Sequence, residues 1–293
     1  MPFPSHEQLR TVLSAFCLAM AACGPADAPS RVETATGATG SALPSGAPAD
    51  ERMSALGSLL VVPGDSAGAG IVIYPVSPTA QLVGSVPLKL IAPSGDSSLA
   101  SAALVMTDSQ VCGEAPLIRI QDSLAADWSV GILSAAVSPV RMDSIESLSR
   151  ADSTRLVAEL ARLASTIPMQ SDSRFKGLPF AVSSARRFTS DGRQIVVSQL
   201  VRRVPHEAEP VEEHTFIVAE RDSSSAAYSM AVQMRSEGNE DVAEQFEVLA
   251  VVRGGQEVWL LLSRDNTART TYQVFERVGP GAWRSRWTRV LSC

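Results

Sequence analysis

The chain has 293 residues, 45% of them hydrophobic, and a mean hydropathy of +0.10. This is apolar material for one large or two small folded domains, and it excludes a chain disordered throughout. Aromatics are only 5%, so the core must be aliphatic, and a net charge of −6 with a pI near 5.2 offers no overall basic field, which excludes a general nucleic-acid binder.

Residues Thr11 to Ala22 (TVLSAFCLAMAA) form an uncharged apolar run preceded by Arg10 and ended by small residues. The run has the length of a signal-peptide core and is too short to cross a bilayer as a helix, which needs about 20 residues. Met20-Ala21-Ala22-Cys23 follows at its end and resembles the lipobox of bacterial lipoproteins. The resemblance implies cleavage after residue 22, an acylated Cys23 as the mature N-terminus, and a bacterial cell-envelope location. More than one acyl chain, as this family carries, anchors stably where a single chain does not. Gly24 stands where inner-membrane lipoproteins of this kind carry Asp, which favours the outer membrane. No other segment approaches the length of an apolar span.

Residues 24–56 are Ala, Gly, Pro, Ser and Thr with scattered charge and no apolar periodicity, the composition of a flexible tether. A segment of about 30 such residues has a root-mean-square reach on the order of 30 Å. With Cys17 in the signal and Cys23 at the lipid, Cys112 and Cys293 are left, and in an exported chain two cysteines read most simply as one disulfide. Two buried free thiols are the competing reading. A zinc site is poorer still, because no metal-ligand spacing accompanies them.

The folded part is expected to be α+β and mainly antiparallel β: a mixed portion over 57–176, then a meander over 177–293. In the first portion, Leu59–Val62, Ile71–Tyr74, Val86–Ile91, Ala102–Thr107, Leu117–Gln121 and Trp128–Leu133 read as strands bounded by Gly, Pro, Asp and Ser. One main helix is expected over about 144–167. Asp143 and Glu146 suggest its start, Leu156, Leu160, Leu163 and Ala164 supply its apolar stripe, and Pro168 ends it.

Beyond Gly177 eight strands follow with compact turns: Ala181–Thr189, Arg193–Val204, His214–Arg221, Ala227–Arg235, Gln245–Arg253, Gln256–Arg264, Thr270–Arg277 and Trp283–Leu291. Such short connections make neighbours antiparallel, and the meander is either a curved sheet or barrel-like. Residues 205–247 hold eleven acids against two Arg, while 264–293 hold six Arg against two acids. The expectation is that these opposite charges face each other or solubilise the sheet. Trp283 and Trp287 are expected on one strand face beside Arg284, Arg286 and Arg289.

Chemistry is sparse. Gly64-Asp65-Ser66-Ala67-Gly68 resembles both the sequence around a trypsin-like nucleophile and the GDS block of SGNH-type esterases. A serine nucleophile needs a base within hydrogen-bond reach, and the only histidines beyond the signal are His206 and His214, neither in the setting those families use. A Gly-rich turn explains the string without catalysis. His206 and His214 bracket four glutamates, a composition able to hold a divalent metal, but the spacing matches no zinc motif. No phosphate-binding or dinucleotide-binding loop and no calcium-loop pattern is present, so no cofactor is expected. The sequence therefore points to a membrane-anchored, non-enzymatic binding or assembly module whose partner is an envelope protein or a small molecule. An exported serine hydrolase built on Ser66 is the alternative.

Overall fold

A computed structural model describes residues 53, 55–64, 68–74, 84–104, 115–121, 127–134, 136–169, 173–204, 210–225 and 227–292. Cys23, Ser66, Cys112, His206 and Cys293 lie outside the described residues, as does the tether up to residue 52.

Six short strands close into an antiparallel barrel: β1 (Leu59–Pro63), β2 (Ala69–Tyr74), β3 (Ser85–Ile91), β4 (Ser97–Leu104), β5 (Leu117–Gln121) and β6 (Val130–Leu133), in the order β1-β2-β5-β4-β3-β6. Alternation explains why β1 is buried almost throughout. Leu59 and Val61 point into the barrel with Val72, Leu88, Leu90, Ile118 and Ile120, while Leu60 and Val62 point outward into a second core. The interior is filled by side chains. A Cβ at Gly131 would come within 2.7 Å of Leu88 Cδ2, and one at Gly70 within 2.5 Å of Val61 Cγ1. Closure also removes the unpaired strand edges that such short strands would otherwise expose.

The remaining strands form two five-stranded antiparallel sheets. One contains β8 (Asp143–Ser144), β9 (Ala181–Ser190), β10 (Arg193–Val204), β11 (Val211–Asp222) and β12 (Ser229–Asn239), in the order β12-β11-β10-β9-β8. The other contains β7 (Val137–Pro139), β13 (Gln245–Gly254), β14 (Glu257–Asn266), β15 (Arg269–Gly279) and β16 (Ala282–Ser292), in the order β16-β15-β14-β13-β7. They pack face to face through Phe188, Ile195, Val197, Phe216, Val218 and Met234 on the first and Phe246, Val251, Leu260, Leu262, Phe275 and Trp283 on the second.

The eight-strand antiparallel meander is present, and it is folded over between β12 and β13 into two layers. The reason lies in strands that are apolar on both faces. Phe216 and Val218 of β11 enter the sandwich core while Ile217 and Ala219 face the helix; Leu260 and Leu262 of β14 enter the sandwich core while Trp259 and Leu261 face the barrel. A single open sheet would leave one of those faces in water. The result is four layers: helix, sheet, sheet, barrel.

Helix α1 (Arg150–Ser165) covers the outer face of the β8–β12 sheet with Leu156, Leu160, Leu163 and Ala164. Burying each leucine contributes about 1.5–3 kcal/mol. The helix begins at Ser149 rather than near Asp143: the Ser149 hydroxyl oxygen accepts from Asp152 N–H at 3.2 Å, while Asp143 and Ser144 pair with β9 and Ile145–Ser147 make a single 3-10 turn. Thus β7, β8 and α1, all ahead of Gly177, are built into the layers formed by the strands after it.

A bulge in β16 revises the placement of its tryptophans. Val274 pairs with Trp287 but Phe275 pairs with Ser285, so two steps on β16 oppose one on β15 and the side-chain parity flips. Trp283 enters the sandwich core, whereas Trp287 packs on the barrel side, edge-on to Tyr74 with ring centroids 5.8 Å apart. The two rings therefore form no common stacking platform.

Candidate functional site

Four of the carboxylates in 205–247, those of Glu212, Glu213, Glu220 and Glu244, are buried in the scaffold. Glu220 on β11 is fully buried between the sheets and accepts from Arg277 Nε at 2.9 Å, Trp283 Nε1 at 2.7 Å, the Gly281 backbone N–H at 2.9 Å and Arg193 Nε at 3.1 Å. Burial by itself raises its pKa, and the bonds from Arg277, Gly281 and Trp283 outweigh it, so the carboxyl titrates below its ordinary range. Glu213, one strand face away, takes Arg202 Nη2 at 2.8 Å and Arg235 Nη2 at 2.5 Å. Arg202 also donates to Phe175 O at 3.1 Å and lies 4.4 Å over the Phe180 ring, which fixes the segment ahead of β9 on the sheet. Glu244 pairs with Arg269 at 3.1 Å and Arg264 at 3.7 Å. The acidic and the Arg-rich segments thus meet across the sandwich.

Of the residues singled out for catalysis or metal binding, His214 is described, and it sits inside this scaffold. Its Nε2 is 2.7 Å from Glu212 Oε2 and its Nδ1 3.2 Å from Gln199 Nε2, so both ring nitrogens are engaged. Glu212 also pairs with Arg203. Ser236 is the cross-strand partner of His214, but it is fully buried and its hydroxyl accepts from Glu244 N–H at 2.9 Å. Serine, histidine and carboxylate are thus neighbours in the sheet, with none of the three more than 8% exposed. Ser66 and His206 fall outside the described residues. Among the described residues no group of three or more His, Cys, Asp or Glu is placed to hold a metal ion, and no helix is long and apolar enough to cross a membrane.

The barrel carries an open groove among the described residues. A groove of about 660 Å³ is lined by Gly57, Pro87, Lys89, Leu99, Ile132 and Leu133, with Ser58 and Ser134 beside them. Leu99 is 74% exposed, the most exposed of the large apolar residues described. It stands outward because β4 alternates: Ala100 and Ala102 fill the barrel interior, leaving Leu99 and Ser101 outside. Lys89 is the one ionisable residue of the lining, and its ammonium donates to Val137 O at 2.6 Å, which leaves two of its three N–H groups for another acceptor.

The chain arriving from Cys23 reaches the fold beside this groove. Met53 and Leu56 are buried in the core between barrel and sheet, Gly57 N–H donates to Met53 O at 3.2 Å, and Gly57 and Ser58 form part of the groove wall. No motif marks these residues in the sequence. They come from strands that are neighbours only once the barrel closes, and an exposed leucine in an Ala- and Ser-rich strand carries no local signal.

No family model, curated protein or solved structure matches the chain.

Proposed function

We propose that this chain is a lipid-anchored, non-enzymatic binding module of a bacterial cell envelope, with the outer membrane favoured. Acylated Cys23 holds it to the bilayer, residues 24–56 are the tether, and a Cys112–Cys293 disulfide ties the end of β16 to the barrel portion. The observation that carries the binding role is the apolar groove at the root of that tether, with Leu99 74% exposed at its wall. Patches of this kind mark interaction sites more often than scattered single residues do.

The occupant is an apolar segment of an envelope protein partner, flanked by a carboxylate that meets the free N–H groups of Lys89. The barrel interior is packed solid, which argues for a partner held at the surface instead of a small molecule held inside. The structural engagement of His214, Glu213 and Glu220 favours the non-enzymatic reading over a hydrolase.

Fractionation of a bacterial host expressing the full chain tests this directly. Wild type should sediment with membranes and Cys23→Ala should be released to the soluble fraction, while a fluorophosphonate probe should leave the folded protein unlabelled. Soluble wild-type protein, or labelling abolished by Ser66→Ala, would overturn the reading.

A further inference from the structure

On the opposite side of the molecule from the barrel, a second cleft opens where α1 meets its sheet. It has a volume of about 40 Å³ and is walled by Arg155 and Glu159 of α1, Arg187 of β9, Arg221 of β11, Asp152 and Tyr228. The geometry points to a binding site for one phosphate-sized oxyanion, held by the guanidinium groups of Arg155, Arg187 and Arg221.

Strand parity delivers the two sheet arginines to this face. Ala185 of β9 and Ile217 and Ala219 of β11 pack under the helix, so Arg187 and Arg221, at the same parity, point to the same side. Gln194 of β10 is the cross-strand partner of Arg221 and holds it in place: Arg221 Nη2 donates to Gln194 Oε1 at 2.5 Å, and Tyr228 OH donates to the same oxygen at 2.8 Å. The Arg221 guanidinium also lies 4.5 Å over the Tyr228 ring, a stacked and hence preoriented cation.

Each guanidinium carries five N–H donors, and these three are far from spent. Arg187 has one ion pair, with Asp143 at 3.6 Å, and Arg221 has the bond to Gln194. Arg155 pairs with Asp152 at the mouth of the cleft and is 74% exposed, free to swing onto an incoming ligand. The carboxylates in the wall are already occupied. Asp152 accepts from Ser149 Oγ at 2.7 Å as well as from Arg155, and Glu159 Oε1 accepts from Tyr228 N–H at 2.7 Å. Three cations stand against three carboxylates once Asp143 beside Arg187 is counted, so what the cleft offers an oxyanion is unspent guanidinium N–H donors and not a net charge.

The volume exceeds the 10–15 Å³ or so that one water needs and suits a single tetrahedral oxyanion or a phosphate monoester end, not a larger ring. Planar, forked donors are the side chains that best match such a group. The ligand is either free phosphate or a phosphate carried on a lipid headgroup, and the chemistry at the cleft is the same.

The test is calorimetric titration of the folded full chain with inorganic phosphate at low ionic strength, beside Arg221→Gln and Arg155→Gln. The second variant changes an exposed side chain and keeps the fold. Phosphate binding that each substitution weakens by roughly tenfold, the loss of a charge-assisted hydrogen bond, supports the site as one for a free oxyanion. A second arm uses vesicles containing phosphatidic acid with the Cys23→Ala chain, so that the anchor does not report. Arg221-dependent vesicle binding without a response to free phosphate supports the site and assigns the headgroup as its source. No binding in either arm, or binding indifferent to both substitutions, overturns the proposal.

Discussion

Glu220 of β11 and Arg277 of β15 grip each other across the two sheets through both carboxylate oxygens, Nε to Oε1 at 2.9 Å and Nη2 to Oε2 at 3.1 Å. Neither side chain is more than 4% exposed, and Asp191, in the turn between β9 and β10, takes Arg277 Nη1 at 2.6 Å. The contact pins the end of the sandwich where β16 begins, because Gly281 and Trp283 bond the same carboxylate.

Removing one partner leaves the other as a buried charge stripped of its bidentate counter-ion, with Arg193 alone opposite Glu220 or Asp191 alone opposite Arg277. Arg277→Met should therefore destabilise the fold by about 3–5 kcal/mol in chemical denaturation, and Glu220→Gln by a similar amount. The double substitution should cost less than the sum of the two, since neither buried charge of the pair remains. Additive losses would mean that the two residues stabilise the sheets independently.

The same carboxylate sets a pH dependence. Glu220 titrates below its ordinary value of 4.5 in the folded state, because the bonds from Arg277, Gly281 and Trp283 overcome the upward push of burial. A lowered folded pKa gives stability that is present above the unfolded value and lost as pH falls through the folded one. Unfolding free energy should thus decline below about pH 4.5, and the decline should be shallower in Glu220→Gln. Parallel curves for the two proteins over that window would assign the acid sensitivity to other groups.

Gly95 sits in the β3–β4 turn at φ +90°, and a Cβ there would lie 2.3 Å from Val140 O and 2.7 Å from Arg141 Cα. Both neighbours are backbone, and the turn is held against them by Met142 N–H to Ser94 O at 3.0 Å and by Arg141 to Asp96 at 2.8 Å. Gly95→Ala should destabilise by about 2–4 kcal/mol through left-handed strain and a contact that cannot relax. Thermal denaturation reads the loss, and an unchanged midpoint would show that the barrel is not seated on the sandwich at this turn.

Leu99 offers the opposite case. It is 74% exposed, so Leu99→Asp should change stability by no more than about 0.5 kcal/mol while placing a charge in the groove that the apolar segment needs. A photo-crosslinker carried at position 99 in cells should join one envelope protein through a segment that is apolar beside an acid, and the same segment should bind purified wild type but not Leu99→Asp. Equal binding of that segment to both proteins would show that the groove is not its docking site.

Much of this fold is legible in the sequence because the strands after Gly177 are long and bounded by turn residues. All eight reappear with their ends shifted by a few residues, from Ala181–Ser190 to Ala282–Ser292. What was hidden depends on distant partners. Strands β7 and β8, three and two residues long, have no pattern of their own and exist because β13 and β9 offer them pairing edges. β4 starts at Ser97, earlier than Ala102, because all of β3 pairs with a segment that is nearly all Ala and Ser. The bulge that separates Trp283 from Trp287 is a one-residue event invisible to alternation. The groove was hidden for the same reason: Pro87, Leu99 and Ile132 are neighbours only through the order β4-β3-β6.

The state of the N-terminus and of the cysteines decides both the anchor and the disulfide. Non-reducing intact and peptide mass spectrometry of the full chain purified from bacterial membranes reads both at once. The expected result is a mature protein beginning at Cys23 with acyl chains attached, and a peptide in which Cys112 is linked to Cys293. A chain still beginning at Met1 with free thiols would contradict the anchor, the compartment and the disulfide together.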